Sequence, residues 1–283
     1  MTDYDTVLTC FRVLDPSIRD QFGYKHLLWV YSGRRGIHLW ISDKEAMELT
    51  DEHRKAIVGW IAVIQGGKDM HKKVNVRQGT KPLPPSLQTV VPCFGDLILG
   101  DQDSFKSDDG WEALLHLIPD KSIAEILQRK WSKDDNRSSE DKWNDLKSEI
   151  KRTEKGSTAR ASLQAAMEDI ILQYTYPRID AEVSKHRNHL LKAPFCVHPK
   201  AGRVCVPVDP QLIDDFDPEK VPTVGQLLKE LDKVAATQDM EGTEHNSDWE
   251  KTSLKPHVDM LDRHAMALMD QVRRTKRAAD LSW

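Results

Sequence analysis

Residues 27–42, LLWVYSGRRGIHLWIS, decide how the rest of the sequence is organised. An apolar run, Leu27 to Tyr31, closes on Ser32-Gly33, and an alternating run, Ile37 to Ile41, follows Gly36. The pattern predicts two strands around a short polar turn. Outward from it, the N-terminal stretch up to about Leu39 reads as strand-rich. Ser42 is the expected cap of a short helix over DKEAMEL. Thr50 or Asp51 then caps a helix over EHRKAIVGWIAVI that stops at Gly66-Gly67. Residues 77–88 carry three prolines and a glycine and read as a loop.

The middle of the chain is helical and charged. WEALLHLI stops before Pro119, and KSIAEILQRKW follows from an Asp120 cap. Between Lys133 and Lys155 seven acidic residues face seven basic ones, which reads as a solvated face or a linker. The clearest helix spans roughly Thr158 to Gln173, with Leu163, Met167, Ile170, Ile171 and Tyr174 on one face. After Asp180 the character changes. PFCVH-PKAG-RVCVPV predicts a β-hairpin that pairs His198 with Arg203, Val197 with Val204, Cys196 with Cys205 and Phe195 with Val206. Alternation then puts His198, Arg203, Cys196 and Cys205 on one face and the four apolar residues on the core face. Helices from Val224 to Val234 and from about Pro256 to Arg277 complete the chain, with the polar run TQDMEGTEHNSD between them.

Composition bounds the function. The 283 residues carry 45 Asp and Glu against 41 Lys and Arg, a formal charge of −4. Nucleic-acid binding by bulk charge is thereby excluded, and any such binding needs a local basic patch. No run of apolar residues is long enough to span a membrane. MTDYDTVLTC lacks the basic start and apolar core of a signal peptide. Cys10, Cys93, Cys196 and Cys205 are too scattered for a disulfide framework, which points to a reducing compartment.

Two stretches offer chemistry. In Ser32-Gly33-Arg34-Arg35-Gly36-Ile37-His38, glycines flank two guanidinium forks between strands, so backbone and side-chain donors can converge on a triphosphate. No GK[ST] follows, so this is not a P-loop, and a solvated hairpin turn is the plainer reading. Downstream, Asp180 is either a helix cap or a carboxylate for a divalent cation. His189-Leu190-Leu191-Lys192 leads into the hairpin that carries His198. A zinc site of Cys196, Cys205 and His198 matches no common module, so the cysteines read as small apolar strand residues.

YSGRRGIHLW, YPRIDAEVSKHRNHLLKAPFCVHPKAGRVCVPVD, FDPEKVPTV and KTSLKPHV, with the opening MTDYD, closely resemble the eukaryotic DNA primase small (catalytic) subunit, of the archaeo-eukaryotic primase family. The resemblance implies an α/β (mixed α+β) catalytic core, residues 1–42 and 174–283, with a helical subdomain inserted over 43–173. It implies template-directed synthesis of short RNA primers on single-stranded DNA from ribonucleoside triphosphates, by two-metal phosphoryl transfer with Mg2+ or Mn2+. Ser32, Gly33, Arg34, Arg35, Gly36, Ile37 and His38 would bind the nucleotide, with His189, Leu190, Leu191, Lys192 and His198 completing the pocket. Asp180 would be a metal carboxylate. The primase large subunit, the DNA polymerase alpha complex and the nucleus are implied in the same way, with no membrane.

The family also carries an Asp-x-Asp pair just upstream of MTDYD and a Cys-rich zinc-binding segment after the position of Cys10. Here the sequence opens at Met1 and passes from LTC directly into FRVLDP. Asp3 and Asp5 have the spacing of the pair but lie beyond it in register. The expectation is an N-terminally truncated chain without the zinc segment. The alternative to an active subunit is a catalytically dead remnant that binds nucleotide and the large subunit. A helical protein whose basic turn, Arg273-Arg274-Lys276-Arg277, binds an acidic partner ranks last.

Overall fold

The computed structural model describes residues 3–63, 72–74, 87–134, 136–238 and 247–280. The fold is mixed α/β, mostly helical with one small antiparallel sheet. The chain divides into a helical unit, Arg12–Ser17 with Glu52–His186, and a sheet unit, Thr2–Phe11, Ile18–Asp51 and Arg187–Trp283.

The N-terminal stretch is not strand-rich. It is a helix, α1 (Asp3–Phe22), continuous through Pro16. Buried Cys10, Val13 and Ser17 recur at helical spacing, and this periodicity outweighs the β-branched character of VLTC. Strands β1 (Leu27–Tyr31) and β2 (Ile37–Ile41) form the expected hairpin, with Trp29 opposite Leu39. Strand β3 (Pro207–Val208) pairs with the other edge of β1, so the order is β2-β1-β3. Flanked on both sides, β1 is buried along its whole length. Phe11 lies 4.4 Å from Trp29, and Leu28, Val30 and Cys205 form an apolar cluster against Trp40 and Leu261.

Helix α2 (Lys44–Met47) is capped at Asp43 rather than Ser42. The Asp43 carboxylate makes no cap bond and instead accepts the backbone N–H groups of Lys25 and His26, closing the approach to β1. Helix α3 (Asp51–Ile61) ends before the Gly66-Gly67 stop, which lies outside the described residues. Most of the 77–88 loop also lies outside them, and its last two residues begin α4 (Leu87–Cys93). A π-helical segment, Phe94–Asp101, continues that helix.

The helical unit is built from α5 (Asp108–Leu115), α6 (Lys121–Trp131), α7 (Ser139–Arg152) and α8 (Thr158–Thr175). Asp120 caps α6 as expected, accepting from the N–H groups of Ser122 and Ile123. Helix α7 corrects the reading of 133–155 as a solvated face or linker. Ser138 and Asp141 form a reciprocal capping box, and Trp143, Leu146 and Ile150 enter the main apolar core. Two of its charges are buried as well. Lys142 Nζ donates to the carbonyls of Phe105 and Lys106 at 2.9 Å each. Asp145 accepts from Arg137 Nε (2.8 Å), Lys130 Nζ (2.7 Å) and the Trp131 indole (3.1 Å).

Burial pushes the Asp145 carboxyl up, but these donors pull it further down, to about 2. Its ordinary value is 3.8, so the stabilisation is fully present above that value and is lost as pH falls through about 2. Discounted for solvent screening, the contribution is about 1–2 kcal/mol. Urea unfolding between pH 7 and pH 2 should show this loss, and Asp145→Asn should flatten it.

The sheet unit is completed by α10 (Val224–Gln238) and α11 (Lys255–Asp280), with α9 (Ala181–Lys185) closing the helical unit. Residues 239–246, within the polar run between α10 and α11, lie outside the described residues. The start of α11 meets the sheet, where His257 Nδ1 lies 3.0 Å from the Pro207 carbonyl and His264 Nε2 lies 3.1 Å from Ser42 Oγ.

Candidate functional site

The turn between β1 and β2 is held from within. Ser32 N–H donates to the Gly36 carbonyl (2.9 Å), Gly36 N–H donates to Ser32 Oγ (3.0 Å), and the Tyr31 hydroxyl donates to the Arg34 carbonyl (2.6 Å). Ser32 is buried, while Arg34 and Arg35 are exposed. The hydroxyl of Ser32 is thus a structural acceptor as well as a candidate donor. The partner of the Tyr31 hydroxyl has no local signal in the sequence.

Gly33 fixes where this turn sits. Its φ is +83°, and a Cβ placed there would lie 2.8 Å from His198 Cβ and 3.1 Å from the Arg203 carbonyl oxygen. Only a residue without a side chain lets the turn rest on the second hairpin so closely. That hairpin forms with the expected central register. Val197 pairs with Val204, His198 N–H donates to the Arg203 carbonyl at 2.8 Å, and Gly202 turns with φ +65°. Arg203 is tied in turn to Glu219, a partner that lies in FDPEKVPTV and that spacing alone did not suggest.

The outer part of the expected pairing fails. Phe195 adopts φ +68° and donates its N–H to the Cys205 carbonyl, while Cys205 N–H donates to the Cys196 carbonyl at 2.7 Å. Two residues therefore face one, the arrangement of a β-bulge whose first residue is left-handed. Phe195 does not reach Val206, and the face assignment breaks with it. Val197 is 46% exposed, whereas Cys205 is buried against Leu28 and Val30. Cys196 is exposed, in keeping with the expected face away from the core, and it is Cys205 that departs from that face.

Electrostatics show which side chains converge. Burial lowers the His38 imidazole below its ordinary range, and the Lys192 ammonium lowers it further. His198 is lowered by desolvation, then by Lys192, Arg34 and Lys200. Lys192 thus acts on residues of both hairpins, and its charge favours the neutral form of both rings. The fold brings together Gly33, Arg34, His38, Lys192 and His198. His189 and Leu190 are exposed, the latter 94%.

Asp180 belongs to the helical unit and is exposed. It is the N-cap of α9, with Oδ1 accepting from Glu182 N–H at 3.1 Å. Among the described residues no three His, Cys, Asp or Glu side chains gather closely enough to hold a metal ion. Asp180 alone does not complete a two-ion clamp. Cys10 is buried, and burial pushes its thiol up to about 12, as for a neutral packing group.

The family profile described as DNA primase small subunit matches residues 1–210. The chain belongs to the DNA primase small subunit family. It is 44% identical over 254 residues to the DNA primase small subunit of Schizosaccharomyces pombe, covering 82% of this chain and 56% of that protein. The DNA primase small subunit of Saccharomyces cerevisiae is 33% identical, covering 95% of this chain and 67% of its own length. That of Drosophila melanogaster is 32% identical, covering 100% and 70% respectively. The chain thus spans between about half and 70% of the length of these relatives. The mixed α/β fold accords with this membership, and no helix among the described residues is long and apolar enough to cross a membrane.

Proposed function

We propose that this chain binds ribonucleoside triphosphates and serves template-directed RNA primer synthesis on single-stranded DNA, as a primase small subunit. The observation that supports the reading best is the seating of the SGRRG turn on the 198–203 hairpin, with Lys192 acting on His38 and His198 together. A polyphosphate placed there meets fixed guanidinium and ammonium charges, and its own charge favours protonation of two imidazoles. Ser32, Gly33, Arg34, Arg35, Gly36, Ile37 and His38 form one wall of the proposed pocket. Lys192 and His198 face it, and exposed His189 and Leu190, with Leu191, would close over the nucleotide from the same arm. Such contacts hold phosphates rather than read bases, so template binding should be salt-dependent and largely sequence-independent.

Mg2+ or Mn2+ at Asp180, a heterodimer with the primase large subunit, association with the DNA polymerase alpha complex and nuclear residence belong to the same proposal. Calorimetric titration with ATP tests its core. Arg35→Ala should weaken binding by about 1–3 kcal/mol, the range for a charged contact. Unchanged affinity would remove Arg35 from the pocket, and no binding by the unsubstituted chain would remove the pocket itself. A second reading, triphosphate binding without turnover, is favoured by the engagement of Asp180 as the cap of α9, outside any cluster of three His, Cys, Asp or Glu among the described residues. Primer synthesis on oligo-dT with ATP and Mn2+ separates the two.

A further inference from the structure

Cys196 and Cys205 lie opposite each other at the bulge that interrupts the second hairpin. The Cys205 N–H donates to the Cys196 carbonyl at 2.7 Å, and the Phe195 N–H donates back to the Cys205 carbonyl. A single backbone hydrogen bond joins them across the two strands, and strands so joined lie about 4.7–4.9 Å apart, inside the Cα span of about 4.4–6.8 Å that a disulfide bridges. The two thiols are free and differ in access, Cys196 exposed and Cys205 fully buried. They also sense one another electrostatically. Burial raises the Cys205 thiol, Lys192 draws it down, and Cys196 raises it again. An accessible thiol beside a buried partner is the arrangement of an attacked and a resolving cysteine.

We propose that Cys196 and Cys205 form a reversible disulfide in response to a hydroperoxide oxidant. Cys196 sulfur attacks the terminal peroxide oxygen. The O–O bond breaks, a sulfenic acid forms, and the leaving oxygen departs with the thiol proton, as water when the oxidant is hydrogen peroxide. Cys205 sulfur then attacks the Cys196 sulfur. The S–S bond forms, the S–O bond breaks, and hydroxide leaves with the Cys205 proton as a second water. Two thiols lose two electrons and the peroxide gains them. A dithiol reverses the link by exchange. Because Lys192 and His198 flank Cys196 along the chain, the link constrains the arm that carries both. That effect on anion binding rests on the proposed triphosphate pocket, while the link itself does not.

The test treats the full chain with hydrogen peroxide and reads intact mass and tryptic peptides after blocking free thiols. The expected result is the loss of two hydrogens, a linkage between peptides 193–200 and 204–220, and reversal by dithiothreitol. Cys196→Ser, at an exposed position, should abolish the loss while leaving the fold intact by circular dichroism. A sulfinic or sulfonic acid on Cys196 with Cys205 still free, or a linkage that involves Cys10 or Cys93, overturns the proposal. ATP titration of reduced and oxidised protein reads the consequence, with weaker binding after oxidation expected. Equal binding in both states overturns the coupling to the pocket. Absence of binding in both states overturns the pocket instead, and leaves the mass result to decide the link.

Discussion

Gly33→Ala is expected to weaken ATP binding at least about a hundredfold, or about 2.7 kcal/mol, and to lower the thermal midpoint. Two effects combine. A non-glycine residue in the left-handed region costs about 1–2 kcal/mol. The new methyl group would also lie 2.8 Å from His198 Cβ and 3.1 Å from the Arg203 carbonyl, atoms that are fixed to the hairpin backbone. No flexible side-chain end is available to yield, so the turn and hairpin must separate, and Arg34 moves away from Lys192 and His198. Gly23→Ala provides the control, because Gly23 has φ +73° and nothing within 4 Å of its Cβ position. It should cost the same backbone strain and leave ATP affinity unchanged. Calorimetry and thermal melts on the two variants distinguish close approach from strain. Equal affinity losses would mean that seating of the turn on the hairpin is irrelevant to binding.

Under the proposed role of Asp180 as a metal carboxylate, Asp180→Asn should reduce primer synthesis at least about a hundredfold, on the order of the loss when one group that stabilises transition-state charge is removed. The choice of asparagine matters. Asp180 accepts from Glu182 N–H as the cap of α9, and asparagine caps a helix about as well as aspartate. The substitution keeps the cap and removes only the negative charge. Asp180→Ala should lose the same activity and, in addition, about 1 kcal/mol of stability. Activity retained by Asp180→Asn but reduced by Asp180→Ala would make the residue a cap alone. Primer assays on oligo-dT beside urea unfolding of each variant give both readouts.

Elements governed by nearby residues were legible from the sequence. The β1–β2 hairpin, the Asp120 cap and the α8 stripe each depend on patterns a few residues long, and each appears as expected. The reading failed where a few residues decide against the local average. In α7 the charge count hid Trp143, Leu146 and Ile150, and nothing in a charge run shows that Lys142 reaches two carbonyls about 36 residues back. In α1, the strand signals of the following runs were extended back over the whole N-terminal stretch, but burial of one helical face prevails there. The second hairpin was legible only to its bulge, because left-handed Phe195 occupies a conformation that sequence assigns to glycine. Of the candidate site, the cationic turn and Lys192 could be recognised from motifs. Their seating through Gly33 and the partnership of Arg203 with Glu219 needed three dimensions.

The contact between Gly33 and the 198–203 hairpin joins segments at opposite ends of a long intervening stretch. The apolar core formed by α5 to α8 lies within that stretch and closes over much shorter loops. Loop-closure entropy therefore orders the events, with helical neighbours assembling early and the cationic cradle late. During synthesis the same order is imposed by direction, since β1 and β2 emerge long before the residues that flank β1 on its other edge. Until Pro207 and Val208 arrive, one side of β1 presents unpaired backbone groups, and for that interval a nascent chain has to keep an apolar strand from pairing elsewhere.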